Sequence, residues 1–374
     1  MLVAMTDQNE RFVLQAAMSK NLLKQLRKER LFFCPQCKSN VQLKIGSIKI
    51  PHFAHLTKND CESQFSEGET VTHLLGKHHL YQLFQQLGYD VELESYLPTL
   101  KQRPDLLVMM KSGKCIVIEF QCSTISKEYF LSRNKGYQSE NIQPIWIPST
   151  PPRKNLSTGM LKISLSEQLQ QFVQTTQNQR YLLTYNPHQQ QFIYFSNLLH
   201  IKDNLYLTKV QNLPLEKQLF PFYQPKNLKR NEFLHYYKTY LVSKENFLNY
   251  RLLISKKGIN DLFLRSVYEL RLSLSSLPPF LGLPLKGNES LKMFAVEWQT
   301  ALFYFAHVNK LEIDLLDKRA IQYFLDWAKL SNTNESIALV LDYCKLLKQI
   351  EIQHVYSSMK PVNLIDLLYT QFLA

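Results

Sequence analysis

Between Thr70 and Gly88 the apolar residues recur at helical spacing. In "TVTHLLGKHHLYQLFQQLG", Val71, Leu74, Leu75, Leu80, Leu83, Phe84 and Leu87 lie near helical spacing, and Gly88 supplies a C-terminal stop. The period then shortens. "DVELESYL" from Asp90 alternates Val91 and Leu93 with polar neighbours, less cleanly at Ser95 and Leu97, as a half-exposed strand does. "DLLVMM" and "CIVIEFQC" are two apolar runs joined by "KSGK", which predicts a hairpin. "SKEYFLSRNKGYQ" predicts a helix with Ser126 as N-cap and Glu128 in its first turn, and "QPIWIP" a last short strand. The predicted order over 67–150 is α-β-β-β-α-β. A proline-rich break, "IPSTPPRKN" from Ile147 to Asn155, closes this stretch.

Upstream, residues 1–66 form a separate unit in which "VQLKIGSIKI" reads as a hairpin with Gly46-Ser47 at its tip. Downstream, 151–374 is rich in Leu, Phe and Tyr and reads as mainly α-helical. "MFAVEWQTALFYFAHV" and "AIQYFLDWAKL" have the pattern of buried helices packed on each other. The expected fold is therefore an α+β chain of three domains, 1–66, 67–150 and 151–374, with no internal repeat.

Composition narrows the function classes. At 374 residues and 45% hydrophobic, the chain has enough apolar mass for real cores. Lys and Arg exceed Asp and Glu by 13, with a pI near 9.3, which favours a polyanionic partner. No run of 18 apolar residues is present, and Asp7 and Glu10 stand where a secretory leader would be apolar. A cytoplasmic protein without membrane insertion is expected, so the early group among its six cysteines, Cys34, Cys37 and Cys61, points to a metal site before disulfides.

Glu119, set inside the strand-like run "IVIEF", raises a question of charge, because an unpaired buried ion costs several kcal/mol. Alternation puts Glu119 and Gln121 on one face, and the hairpin brings Asp105 beside them. Two carboxylates on adjacent strands suit Mg²⁺ or Mn²⁺, which take carboxylates, waters and phosphate oxygens and assist phosphodiester hydrolysis. The plainer reading is an ordinary ion pair. Glu69, His73 and Lys77, four residues apart, line one face of the preceding helix and support either view.

"CPQC" and "HFAH" carry a second chemistry. Cys34-x-x-Cys37 presents two thiolates to a tetrahedral ion, and His52, His55 and Cys61 compete for the remaining places. With a hairpin between, this predicts a zinc-ribbon-like domain held by structural Zn²⁺. Cys34 and Cys37 lead, His55 follows, and either His52 or Cys61 completes the set. A third feature is the segment 226–258. It holds eight Lys or Arg against two Glu, with Phe233, Tyr236, Tyr237, Tyr240, Phe247 and Tyr250 interleaved. Base stacking is one reading; a core-packed helix with solvated lysines is the preferred one.

Pro104-Asp105 followed by Glu119-x-Gln121 on that element order resembles the PD-(D/E)xK core of restriction-endonuclease-like enzymes. Gln121 replaces the usual lysine, so Lys127 or Arg133 on the next helix is expected to supply positive charge. "RPDLLV…IVIEFQCSTIS…F…R…Y…IWI", with the upstream "CPQC…HFAH…C", resembles the CoiA competence-protein family over about the first 150 residues. The resemblance implies a cytosolic nuclease-like protein acting on incoming single-stranded DNA in recombination during natural transformation, alongside recombination proteins. The family's catalytic assignment falls on Asp105, Glu119 and Gln121. A non-catalytic DNA-binding accessory protein on the same fold is the alternative. A protein-interaction scaffold is a further, weaker one.

Overall fold

The computed structural model describes residues 1–15, 18–46, 50–56, 70–152, 156–176, 179–255, 258–358 and 364–373. It is a mixed α and β molecule with three sheets and ten α-helices among the described residues. No helix among them is long and apolar enough to cross a membrane.

The first sheet runs in the order β2-β1-β3-β4-β5. Its strands are β1 (Val3–Thr6), β2 (Arg11–Val13), β3 (Phe32–Phe33), β4 (Asn40–Lys44) and β5 (His52–His55), with helix α1 (Lys20–Glu29) between β2 and β3. Phe32, Val41, Leu43 and Phe53 alternate inward and meet Leu23 of α1 in a small core that also holds Cys34. The expected hairpin exists, but its return strand is β5, with Lys44 opposite His52. Ser47, at the predicted tip, lies outside the described residues.

The central sheet has the predicted order of elements: α2 (Val71–Gln86), β6 (Asp90–Leu93), β7 (Leu106–Met109), β8 (Cys115–Gln121), α3 (Lys127–Ser139) and β9 (Gln143–Pro148). The strands lie 6-7-8-9, antiparallel except for the β8–β9 pair. Ile116, Ile118 and Phe120 face α2, so the alternate residues Val117, Glu119 and Gln121 face the α3 layer. Helix α2 approaches closely because Gly76 lies under the Phe120 ring; a Cβ there would sit 2.1 Å from Phe120 Cε1.

The expectation of a mainly helical 151–374 needs correction. A five-stranded antiparallel sheet occupies its first part: β10 (Gly159–Ser164), β11 (Gln174–Thr175), β12 (Arg180–Asn186), β13 (Gln191–Lys202) and β14 (Leu205–Pro214), with the short α4 (Glu167–Gln170). "RYLLTYN" and "QFIYFSNLLHIK" are buried on both faces, so they lack alternation and read like helix cores. Tyr181, Leu183, Tyr185, Phe192 and Tyr194 share one core with the central sheet. Helices dominate from α5 (Arg230–Ile254) onward: α6 (Leu262–Glu269), α7 (Ala295–Val308), α8 (Lys318–Trp327), α9 (Asn334–Gln349) and α10 (Leu364–Leu373). The α7–α8 packing is as expected, with Phe305 against Phe324 and Trp327.

Candidate functional site

Asp105 immediately precedes β7, and the register Leu106–Ile118 carries it to the position across from Glu119. The Phe120 amide donates to Asp105 Oδ2 at 2.9 Å, tying the carboxylate to β8. His73 Nε2 lies 3.2 Å from the same oxygen, and Lys77 Nζ is 3.8 Å from Oδ1. Both come from α2, whose N-cap Thr70 accepts the His73 amide. The spacing of four therefore delivers two of its three predicted members to the acid; Glu69 lies outside the described residues.

Glu119 is gripped from the other layer. Tyr129, Arg133 and Tyr137, spaced i, i+4 and i+8 on α3, line one helical face. Arg133 Nη2 and the Tyr137 hydroxyl both donate to Glu119 Oε1. Arg133 also donates to Tyr129 Oη at 2.9 Å, Tyr137 Oη at 2.6 Å and the Arg103 carbonyl at 3.3 Å. Glu119 is 6% exposed. Its charge is thus answered by an ordinary ion pair with Arg133. Lys127 is exposed in the first turn of α3, away from these contacts. Gln121 turns its amide to Ser123, donating to its carbonyl at 2.9 Å and to its hydroxyl at 3.1 Å.

Sequence reasoning missed Glu94. It follows β6 with φ +52 and is buried, where a continued strand was expected. Its carboxylate pairs with Lys77, which is 1% exposed, and accepts the Leu2 amide at 3.0 Å and the Val3 amide at 3.3 Å. The available signal was the failing alternation of "ELESYL". Tyr137 was also missed, although its spacing from Arg133 was legible.

The electrostatics separate the two acids. Burial alone would raise Asp105, but His73, Lys77 and the Phe120 amide outweigh it and hold the carboxyl below its ordinary range. Burial pushes Glu119 up more than Arg133 and Tyr137 draw it down, and the Asp105 charge adds to the rise. Among the described residues no hydrogen bond engages Glu119 Oε2 or Asp105 Oδ1, and the Lys77 ammonium stands 3.8 Å from the latter.

The second cluster is Cys34, Cys37 and His55, whose ligand atoms lie within 4.8 Å of one another. The Cys-x-x-Cys turn closes with Lys38 at φ +61, its amide donating to the Cys34 carbonyl at 3.0 Å. Cys37 Sγ is 3.4 Å from His55 Nε2 and 2.8 Å from Ser39 Oγ. Burial pushes the Cys34 thiol up to about 11. For Cys37 the Ser39 and His55 hydrogen bonds overcome burial and bring it to about 6. His52 does not join this cluster. Three residues apart in a strand means opposite faces, and His52 Nδ1 instead sits 2.9 Å from the Ile50 carbonyl. Cys61 lies outside the described residues.

The aromatics of the 226–258 segment are core residues. Phe233, Tyr236, Tyr237 and Tyr240 are buried on α5, and Phe247 packs on Phe294. Tyr250 alone of the six is well exposed.

Comparison with known proteins first gives the class. Residues 69–228 match the family model "Competence protein CoiA, nuclease-like domain", and residues 15–64 match "Competence protein CoiA, N-terminal domain". The chain belongs to the CoiA family of competence proteins. A curated relative, "Competence protein CoiA" of Bacillus subtilis (strain 168), is 29% identical over 319 residues, covering 83% of this chain and 81% of the relative. No solved structure matches the chain.

Proposed function

We propose that this chain processes DNA taken up during transformation, with Asp105 and Glu119 holding Mg²⁺ or Mn²⁺ for phosphodiester hydrolysis. The supporting observation is the two carboxylates at facing positions of adjacent strands on the α-β-β-β-α-β order, with no hydrogen bond on Glu119 Oε2 or Asp105 Oδ1 among the described residues. Two carboxylate oxygens with water and phosphate suit a hard cation, which would supply Lewis acidity to the scissile phosphate. Asp105, held ionised by His73 and Lys77, is the permanent anionic ligand. Lys77 and Arg133 supply the positive charge that the PD-(D/E)xK pattern takes from its lysine. Gln121 orients water once its amide leaves Ser123.

The Cys34, Cys37 and His55 donors fit Zn²⁺, with Cys61 the remaining sequence candidate for a fourth place. No base stands in that cluster, so its role is structural. Single-stranded DNA as substrate, recombination proteins as partners and a cytoplasmic site of action follow from the family resemblance.

The test is incubation of labelled single- and double-stranded DNA with and without Mg²⁺ or Mn²⁺. Asp105→Ala and Glu119→Ala abolish cleavage and leave DNA binding in place. Equal cleavage by wild type and both variants removes the assignment. A second reading, DNA binding without hydrolysis, draws on the basic partner already seated on each acid. Its signature is wild-type binding with no cleavage under any metal.

A further inference from the structure

Helix α1 carries a cationic stripe that the acid site and the Cys/His cluster do not use. Lys20, Lys24, Arg27 and Lys28 are all exposed. At 100° per residue they fall within an arc of about 100° of the helix surface. None of the four has an ion-pair or hydrogen-bond partner among the described residues. The helix's one acid, Glu29, lies off the stripe and accepts from Gln25 at 2.9 Å. Four like charges on ten residues repel one another, which an isolated helix does not favour. Here Leu23, buried, and Leu26, partly buried, hold the helix on its sheet, in the same small core as Cys34 and Cys37.

We propose that this stripe is a nucleic-acid backbone surface, separate from the Asp105–Glu119 site, that grips the DNA strand the chain processes. The inference rests on the DNA-processing reading above and adds a second point of contact to it. From Lys20 to Lys28 the rise is about 12 Å, a span that takes in about four phosphates at the duplex axial spacing of about 3.4 Å per strand. The stripe holds no aromatic side chain and no acid, so it follows phosphates and does not read bases. A lipid surface fits less well, because Leu23 and Leu26 are committed to the protein core and the exposed Leu22 lies on the side of the helix opposite the cations. The shared core also gives the Cys/His cluster a purpose. Holding Cys34 and Cys37 in place keeps the stripe rigid.

The experiment measures binding of the full chain to a fluorescein-labelled oligothymidylate across about 50–200 mM salt, without divalent metal. The combined variant Lys20→Gln, Lys24→Gln, Arg27→Gln, Lys28→Gln is expected to bind more weakly. Its slope of log affinity against log salt becomes shallower by about 3, from four contacts at about 0.7 each on a single strand. A control removing the same charge elsewhere, Lys310→Gln, Lys318→Gln, Arg319→Gln, Lys329→Gln, changes the slope by less than 1. An unchanged slope in the stripe variant, or an equal change in the control, overturns the stripe while leaving the nuclease reading intact. Loss of binding to phosphatidylserine vesicles with DNA affinity unchanged also overturns it. No DNA binding by wild type removes the underlying reading itself. Circular dichroism of the variant confirms that α1 still folds.

Discussion

Arg133→Met isolates the interaction on which the central site depends. Methionine fills much of the arginine stem's volume but removes every polar contact of the guanidinium, with Glu119, Tyr129, Tyr137 and the Arg103 carbonyl. Glu119 then remains buried with only the Tyr137 hydroxyl. Breaking a buried pair from one side costs about 3–5 kcal/mol, because the stranded charge keeps its desolvation penalty. The sign of the pH dependence follows. Glu119 already has a folded pKa above its ordinary value, and loss of the cation raises it further. A carboxyl raised on folding is stabilising while protonated, and that stabilisation is lost as pH rises through the folded pKa. The variant's deficit is therefore smallest in acid, near the ordinary carboxylate range, and grows toward neutrality. Urea melts followed by circular dichroism at several pH values read it directly. Adding Glu119→Gln to the variant recovers most of the loss at neutral pH, since no charge is left to strand. A deficit below about 1 kcal/mol, or one that grows on acidification, refutes the buried-pair account.

Three further outcomes are expected. Gly76→Ala gains up to about 1 kcal/mol in helix propensity but drives a methyl into the Phe120 ring, for a net loss of about 1–3 kcal/mol. Adding Phe120→Leu relieves that loss in thermal melts, and a stabilised Gly76→Ala contradicts the packing. Purified protein carries close to one zinc per chain by atomic emission, and Cys34→Ser brings it below about half an equivalent; wild-type protein without zinc sinks the metal assignment. Tyr137→Phe leaves Glu119 with Arg133 and one hydrogen bond fewer, costing about 1–3 kcal/mol. A neutral result shows that the hydroxyl is idle.

The central sheet was readable because its cues are local. Period, cap and turn residues agree along 70–148, and Ser126 and Thr70 cap the helices that their positions suggest. The sheet after residue 156 was hidden, because strands covered on both faces show neither alternation nor a helical stripe. At the site, the sequence displayed Asp105, Glu119 and the α2 face but not their contacts. Arg133 reaches Glu119 only because α3 folds back over β8, a tertiary fact that no spacing within the helix contains. His52 went astray for a simpler reason: i, i+3 is a neighbourly spacing in a helix and a divergent one in the strand that actually forms.

Glu94 gives the molecule a property that neither site has alone. One ammonium, that of Lys77, serves two masters: the carboxylate that clasps the backbone of β1, and Asp105. Loss of the β1 amides would leave Glu94 leaning harder on that ammonium and drawing it from Asp105, and a ligand that competes with Lys77 for Asp105 would return the ammonium to Glu94 and lessen its need of those amides. Thermodynamic reciprocity requires both effects to be equal in size. Attachment of the amino-terminal sheet and occupancy of the acidic centre are thus two readings of a single balance.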